Sequence, residues 1–311
     1  MNTLSFGVYA VLGGVYAVLL VATGIDYWLG KRYPERDFRE LRLRIHSWWT
    51  IVIVCSIALL LSSTVAIVFF ALLSFLALKE YLSLIPTRRA DRRVLFWAYL
   101  AIPVQYYWIG IAWYGMFIIF IPVYMFLLLP VRMILAGETQ GYLRAAGMLQ
   151  WGLMSMVFSL SHLAYLIVLP AGEYNGVSGA GLVLYLIVLT QLNDVAQYCW
   201  GKLLGRHRIT PAVSPNKTWE GFLGGVATTV VLAFALAPLL TPLIWYHALI
   251  VGAIIAVAGF FGDLSISALK RDLGIKDSGS LLPGHGGILD RVDSLTYTAP
   301  IFFHFIRYFY Y

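Results

Sequence analysis

The residues best able to do chemistry are aspartates, lysines and arginines that share one short segment, 263–293. Asp263 directly follows a long apolar run, and Asp293 directly precedes another. Ionisable groups at the edge of an apolar span are costly and tend to be functional. Carboxylates are hard oxygen ligands suited to Mg²⁺, and Asp290 and Asp293 would share one face of a helix. We therefore predict Asp263, Asp290 and Asp293 as ligands of a catalytic metal.

The same segment supplies cationic and small residues that could hold phosphate groups. Glycines around His285 would let backbone N–H groups approach a phosphate closely. We predict Lys270 and Arg271 as catalytic residues beside the three aspartates, because lysine offers phosphate a point charge and arginine a bidentate fork. A solvated loop would carry the same mixture of charges, so residue types alone leave both interpretations open. The predicted substrate-binding residues of this segment are Lys276, His285 and Arg291.

A second polar segment, 193–221, offers further candidates for the same site. Ser214 followed by Pro215 is typical of a helix start, whose N-terminus would point at an anion. Lys217 would add a positive charge for a triphosphate, and Asp194 could orient a lysine or bind a second cation. We predict Asp194, Ser214 and Lys217 as substrate-binding residues, although a plain helix cap would use the same serine.

The rest of the chain is apolar enough to place these segments at a membrane. Hydrophobic residues make up 60% of the 311 residues and charged residues 12%, whereas soluble domains carry about 25% charged residues. A spanning helix needs about 20 mainly apolar residues, so we expect an all-α, polytopic integral membrane protein with nine to ten transmembrane helices. The candidate spans are 5–24, 48–63, 65–85, 95–113, 115–132, 147–170, 178–193, 221–240, 243–262 and 294–310.

The positions of the basic residues predict the orientation of these spans. Lysine and arginine collect in every second loop, whereas the loops near 63, 114, 171–177 and 241 hold neither. Basic loops lie on the cytoplasmic side of a membrane, so both polar segments are expected to face the cytoplasm. This topology also explains the net charge of +7 without nucleic acid as a partner. Segment 1–145 is predicted to be a transmembrane scaffold and segment 146–311 the catalytic part.

The order of residues in the first segment resembles the signature of the phosphatidate cytidylyltransferase family, also called CDP-diacylglycerol synthases. The stretch 214–221 is similar to the family's Ser-Pro-x-Lys-Thr-x-Glu-Gly. A departure lies at 193–198, where the family's Ala-Asp-Ser-x-Ala-Tyr is replaced by Asn-Asp-Val-Ala-Gln-Tyr. The missing serine could mark a subfamily with a different lipid substrate or an accessory role. The matching signature positions are Ser267, Leu269, Lys270, Arg271, Lys276, Asp277, Gly279, Leu282, Pro283, His285, Gly286, Gly287, Ile288, Asp290, Arg291, Val292 and Asp293.

The resemblance implies a Mg²⁺-dependent enzyme that converts CTP and phosphatidate to CDP-diacylglycerol and pyrophosphate, with a second cation expected in the family. It implies a bacterial-type inner membrane, contact with membrane lipids and a site facing the cytoplasm; a homodimer is compatible with the sequence. Three alternatives stay open. They are nucleotidyl transfer to another lipid phosphate, such as an isoprenoid-ether lipid, a regulatory paralogue, and a transporter. Transporters usually place charges near mid-membrane in two repeats, and no repeat is evident here.

Overall fold

Most of the chain forms long helices. The computed structural model describes residues 5–35, 37–88, 91–170, 177–279 and 286–311. Within them lie ten long helices, one helix of four residues and one two-stranded hairpin. The long helices are α1 (Phe6–Arg32), α2 (Arg39–Leu61), α3 (Ser63–Leu84), α4 (Arg92–Gly110), α5 (Tyr114–Ile134), α6 (Tyr142–Val168), α7 (Gly179–Leu204), α8 (Trp219–Leu240), α9 (Trp245–Asp272) and α11 (Leu295–Tyr310), and the short helix is α10 (Leu289–Val292).

Each of the ten predicted spans coincides with one long helix, and the all-α, polytopic class is confirmed. In the described part of the chain, eight helices are long and apolar enough to cross a membrane, fewer than the nine to ten predicted. The other two are α4 and α11. Polar aromatic residues and Gln105 lower the hydropathy of α4, and α11 has only 16 residues.

The interior of the molecule is built on α6 and α7. All residues from Leu160 to Ile167 are buried, on every side of α6. The first half of α7 is buried to the same degree, from Ala180 to Leu186. A helix that is apolar all round belongs in the core of a bundle. These buried parts of α6 and α7 therefore form the core of the bundle. The polar residues described below lie at the far end of α7 and at the ends of α9 and α11 that adjoin it.

A hairpin interrupts the helices where a helix start was predicted. Strand β1 (Arg208–Thr210) pairs in antiparallel fashion with β2 (Ser214–Thr218). The prediction that Ser214 and Pro215 open a helix is therefore wrong. Proline lacks an N–H donor. An edge strand tolerates proline at a position whose N–H would point away from the partner strand, because no hydrogen bond between the strands is lost there. Helix α8 begins after the hairpin, where Thr218 Oγ1 accepts a hydrogen bond from Gly221 N at 3.2 Å.

Several loops that the charge pattern assigns to one side of the membrane are in contact with one another. The Arg88 guanidinium forms an ion pair with Asp91 and donates hydrogen bonds to the backbone carbonyls of Glu138 and Gln140 at 3.1 and 2.6 Å. These bonds join the loop after α3 to the loop after α5. The end of α9 is likewise joined to the hairpin. The clustering agrees with the predicted topology, and the compartment that this end faces stays a prediction.

Candidate active site

Three carboxylates from different parts of the chain lie close enough to repel one another electrostatically. Asp194 lies on α7, Asp263 on α9 and Asp293 in the turn between α10 and α11. Ser294 joins two of them, since its hydroxyl donates to Asp194 Oδ2 at 3.0 Å and its backbone N–H donates to Asp293 Oδ1 at 2.7 Å. Burial, and then the charges of Asp263 and Asp194, raise the pKa of the Asp293 carboxyl well above its usual value. We call Asp194, Asp263 and Asp293 the acidic cluster.

Close backbone packing brings the acidic cluster together. A Cβ atom on Gly262 would lie 2.7 Å from the carbonyl oxygen of Asp293, closer than side-chain carbons come to other atoms. The glycine therefore lets the start of α11 approach α9 directly beside Asp263. Asn193, next to Asp194, fixes α7 in the same region. Its side chain donates to Ala256 O at 3.3 Å on α9 and accepts from Thr229 Oγ1 at 3.1 Å on α8.

The hairpin brings a lysine to the acidic cluster. Lys217 Nζ lies 2.7 Å from Asp263 Oδ2 and 4.4 Å from the centre of the Phe260 ring. Arg271 holds the hairpin against α9, because its Nε atom donates to the backbone carbonyl of Val213 at 3.3 Å. Of the predicted residues on β2, Lys217 therefore reaches the acidic cluster, whereas Ser214 begins the strand.

Asp290 lies in a separate network of donors. Its Oδ1 atom accepts from Lys270 Nζ at 2.7 Å. Its Oδ2 atom accepts from the backbone N–H and the hydroxyl of Ser278, at 3.0 and 2.9 Å, and from Gly287 N at 3.1 Å. Burial opposes ionisation of Asp290, but the lysine and the amides outweigh it and hold the pKa below the usual aspartate value. Asp290 thus ties Ser278 and Gly287, which belong to the loop between α9 and α10 (the signature loop), to Lys270 on α9.

Glu80 was missed by the sequence analysis. It lies near the end of α3, within the segment predicted to be a scaffold. Its carboxylate accepts hydrogen bonds from Ile288 N at 2.9 Å, from Leu289 N at 3.1 Å and from the Ser278 hydroxyl. About 200 residues separate these partners, and spacing along a chain cannot reveal such a pair. An acidic residue at the end of an apolar run was the available signal, the same one that pointed to Asp263.

The predicted cationic residues fall into different environments. Arg291 has a buried Nε atom with no hydrogen-bond partner among the described residues, and its charge acts on both Asp194 and Asp293. Lys276 is exposed. His285 lies outside the described residues. The structure therefore brings Lys217 and Arg291 to the acidic cluster, and Lys270 to Asp290.

The acidic cluster has the character of a cation site. Among the described residues, the buried Asp194 Oδ1 atom has no hydrogen-bond partner, and burial, followed by the negative charges of Asp263 and Asp194, raises the pKa of Asp293. A divalent cation would give Asp194 Oδ1 a partner and would offset the negative charge of the three carboxylates. Across the described ranges, however, no three ligand-type side chains form a group arranged to hold a metal ion. The assignment of Asp263, Asp290 and Asp293 as metal ligands stays a prediction.

A cavity of about 360 Å³ opens beside the acidic cluster. Two of its lining residues, Leu264 and Ser265, directly follow Asp263 on α9. Phe261 and Tyr297 line it and are 53% and 37% exposed as residues, so the cavity opens on the outer surface of the helices. The remaining lining residues are Thr210, Val213 and Ala268.

Residues 42–309 match the model of the Cytidylyltransferase family. The chain is 48% identical over 297 residues to "Uncharacterized protein YnbB" of Escherichia coli, with 96% of this chain and 97% of that protein covered. It is 41% identical over 125 residues to the phosphatidate cytidylyltransferases of Staphylococcus haemolyticus and of Staphylococcus aureus strain COL. Those two matches cover 40% of this chain and 48% of each enzyme, about half its length.

Proposed function

Because this chain belongs to the cytidylyltransferase family, we propose that it transfers the cytidylyl group of CTP to phosphatidate and forms CDP-diacylglycerol and pyrophosphate. The sequence similarity to the staphylococcal phosphatidate cytidylyltransferases, which covers 40% of this chain, supports phosphatidate as the substrate. The observation that carries the proposal is the acidic cluster, where three carboxylates lie near two basic residues, Lys217 and Arg291. A site of this composition suits polyphosphate, since carboxylates hold the cation and basic side chains hold the phosphates.

The reaction requires positioning more than acid–base chemistry. An oxygen of the lipid phosphate attacks the α-phosphorus of CTP, a new P–O bond forms, and the bond to the bridging oxygen of the β-phosphate breaks. Pyrophosphate leaves with the electron pair. The second pKa of a phosphate monoester is about 6, so the attacking group is already an anion near neutral pH. Catalysis then depends on holding two anions together and neutralising the developing charge.

The side chains of the site divide between these tasks. Lys217 and Arg291 would hold phosphate groups of CTP, because both are basic and lie at the acidic cluster. Mg²⁺ would be held by Asp263 and Asp293, joined by Asp194, and would supply charge neutralisation at the phosphates. Cation binding at Asp263 would displace the Lys217 ammonium from Oδ2, and binding at Asp290 would displace the Lys270 ammonium from Oδ1.

The remaining predicted residues keep the roles given above. Lys270 and Arg271 stay predicted catalytic residues, and Ser214, Lys276 and His285 stay predicted contacts of the substrate. A second cation stays a proposal as well; Asp194, which would also join the Mg²⁺ site, is its candidate ligand.

The location of the acidic cluster suits one water-soluble and one lipid substrate. The polar segments would face the cytoplasm of a bacterial inner membrane, where CTP is present. The cavity beside Asp263 is lined largely by carbon and opens on the helix surface. A phospholipid in the bilayer could therefore place its head group at the acidic cluster while its acyl chains lie along Phe261 and Tyr297.

The test is an assay of the detergent-purified protein with radiolabelled CTP, Mg²⁺ and a panel of lipid phosphates. We expect labelled CDP-diacylglycerol with phosphatidate, together with one pyrophosphate per product. A higher rate with an isoprenoid-ether lipid phosphate would move the function to that substrate. Val195, which stands where the family has serine and is 50% exposed, is the feature that favours this second candidate. No labelled lipid from any acceptor would contradict the proposal.

A further inference from the structure

Within the described part of the chain, the hydrogen-bond partners of the Glu80 carboxylate are all donors. They are the backbone N–H groups of Ile288 and Leu289 and the hydroxyl of Ser278. The first N–H groups of a helix have no acceptor within the helix. The Glu80 carboxylate, from a distant part of the chain, is the acceptor for the N–H groups at the start of α10. Glutamine could not replace it, because its NH₂ group would point a donor at one of these donors.

Two glycines of the signature make room for two carboxylates. A Cβ atom on Gly287 would lie 1.9 Å from Glu80 Oε1, so any side chain there would exclude Glu80. Gly286 has a φ of +83°, and a Cβ atom there would lie 2.6 Å from Asp290 Oδ2. The absence of side chains at Gly286 and Gly287 thus lets the carboxylates of Asp290 and Glu80 approach the loop backbone closely. The hydroxyl of Ser278 lies between them within hydrogen-bonding distance of both carboxylates, which share its single proton.

From these contacts we infer that Glu80 is a positioning residue of the active site. It has no place in the acidic cluster, and it acts through α10, which carries Asp290 and leads directly to Asp293. Fixing the start of this four-residue helix fixes the orientation of both aspartates. The inference rests on the proposed function for its effect on catalysis. Its effect on the loop is independent of any substrate.

The experiment compares Glu80→Gln, Glu80→Asp and the control Glu40→Gln. Glu40 is an exposed acidic residue that pairs with Arg44 on the first turns of α2. Two quantities are measured for each variant. One is the turnover number with CTP and phosphatidate. The other is amide hydrogen exchange in peptides covering 286–293 and, for comparison, peptides of α7 and α8.

We expect exchange in 286–293 to become about tenfold faster in Glu80→Gln, because a hydrogen bond to a charged group is lost. Turnover should fall on the order of 10²-fold, as for a displacement of about 1 Å at the reacting groups. Glu80→Asp should recover part of both, and α7 and α8 should stay protected. Glu40→Gln should match the wild type in both measurements.

Three results would overturn the inference. They are wild-type turnover in Glu80→Gln, unchanged exchange in 286–293, and an equal loss of protection in all helices in both Glu80 variants. If the wild-type protein forms no CDP-lipid, the proposed function fails. The exchange data then still decide whether Glu80 holds the loop.

Discussion

At the scale of single residues, the aspartates of the site differ in what surrounds them. Asp290 has a donor for each carboxylate oxygen and a lowered pKa, whereas Asp293 faces other carboxylates and has a raised pKa. Both belong to one short stretch of sequence, and nothing in their spacing distinguishes them. The neighbours that make the difference, Lys270 and Ser278 for one and Asp194 and Asp263 for the other, come from other turns of the chain.

The lowered pKa of Asp290 predicts a loss of stability in acid. The contribution of this group is fully present above the ordinary aspartate pKa of about 3.9. It is lost as the pH falls through the lower value of the folded state. Asp290→Asn should therefore have a lower Tm than the wild type at pH 7, and the difference should shrink below about pH 4. Thermal unfolding in detergent from pH 3 to 7 measures this.

The control for that experiment is Asp272→Asn, which changes an exposed aspartate at the end of α9. It should leave Tm unchanged at both ends of the pH range. A Tm difference between Asp290→Asn and the wild type that stayed constant down to pH 3 would contradict the assignment.

At the scale of elements, hydropathy predicted the helices because each long apolar run must satisfy its own backbone in a membrane. The break between α2 and α3 was visible in Ser62, whose hydroxyl accepts from Val65 N at 3.2 Å. The hairpin was not visible, because Ser-Pro also starts helices and the pairing of β1 with β2 depends on contacts between strands. Glu80 was hidden for a related reason, since its partners lie in another half of the chain.

Gly262 tests the approach of α11 to α9. Gly262→Ala would place a carbon 2.7 Å from the backbone oxygen of Asp293, and backbone atoms must shift to relieve the contact. Overpacking of this kind costs about 1–3 kcal/mol, and the acidic cluster would open. We expect a lower Tm and an activity reduced about tenfold or more, in line with the sensitivity of catalysis to displacements of about 1 Å.

Gly147→Ala is the matched change, because a Cβ atom on that α6 residue would meet no atom of the described residues within 4 Å. It should keep full activity, with Tm equal to or slightly above that of the wild type, since alanine favours a helix. Equal behaviour of the two alanine variants would show that close packing at Gly262 does not position the site.

At the scale of the whole molecule, the segment predicted to be a scaffold also reaches the signature loop. The division at residue 145 follows the distribution of charges along the sequence, whereas the Glu80 contacts connect α3 with residues 278–289. The cavity beside Asp263 is likewise formed by residues from several segments of the chain. It lies between the hairpin, α9 and the start of α11.

Ala268 tests whether this cavity accepts the acyl chains of the lipid. Ala268→Phe would fill space beside Val213 and Tyr297. We expect the rate with long-chain phosphatidate to fall about tenfold, the lower end of the range for small changes in an apolar pocket. The rate with a water-soluble, short-chain phosphatidate should stay within about twofold. Ala235→Phe, on the exposed surface of α8, should change neither rate, and equal losses with both lipids would contradict the placement.

The central claim is that the acidic cluster is the centre of cytidylyl transfer, and Asp263 tests it most directly. The measurement is the rate of CDP-diacylglycerol formation by wild type, Asp263→Asn and the exposed control Asp272→Asn. Each protein must first give a single symmetric peak in gel filtration. We predict a loss of about 10²–10³-fold in Asp263→Asn, the size of effect seen when one group that stabilises charge is removed, and a wild-type rate in Asp272→Asn. A wild-type rate in Asp263→Asn would contradict the account.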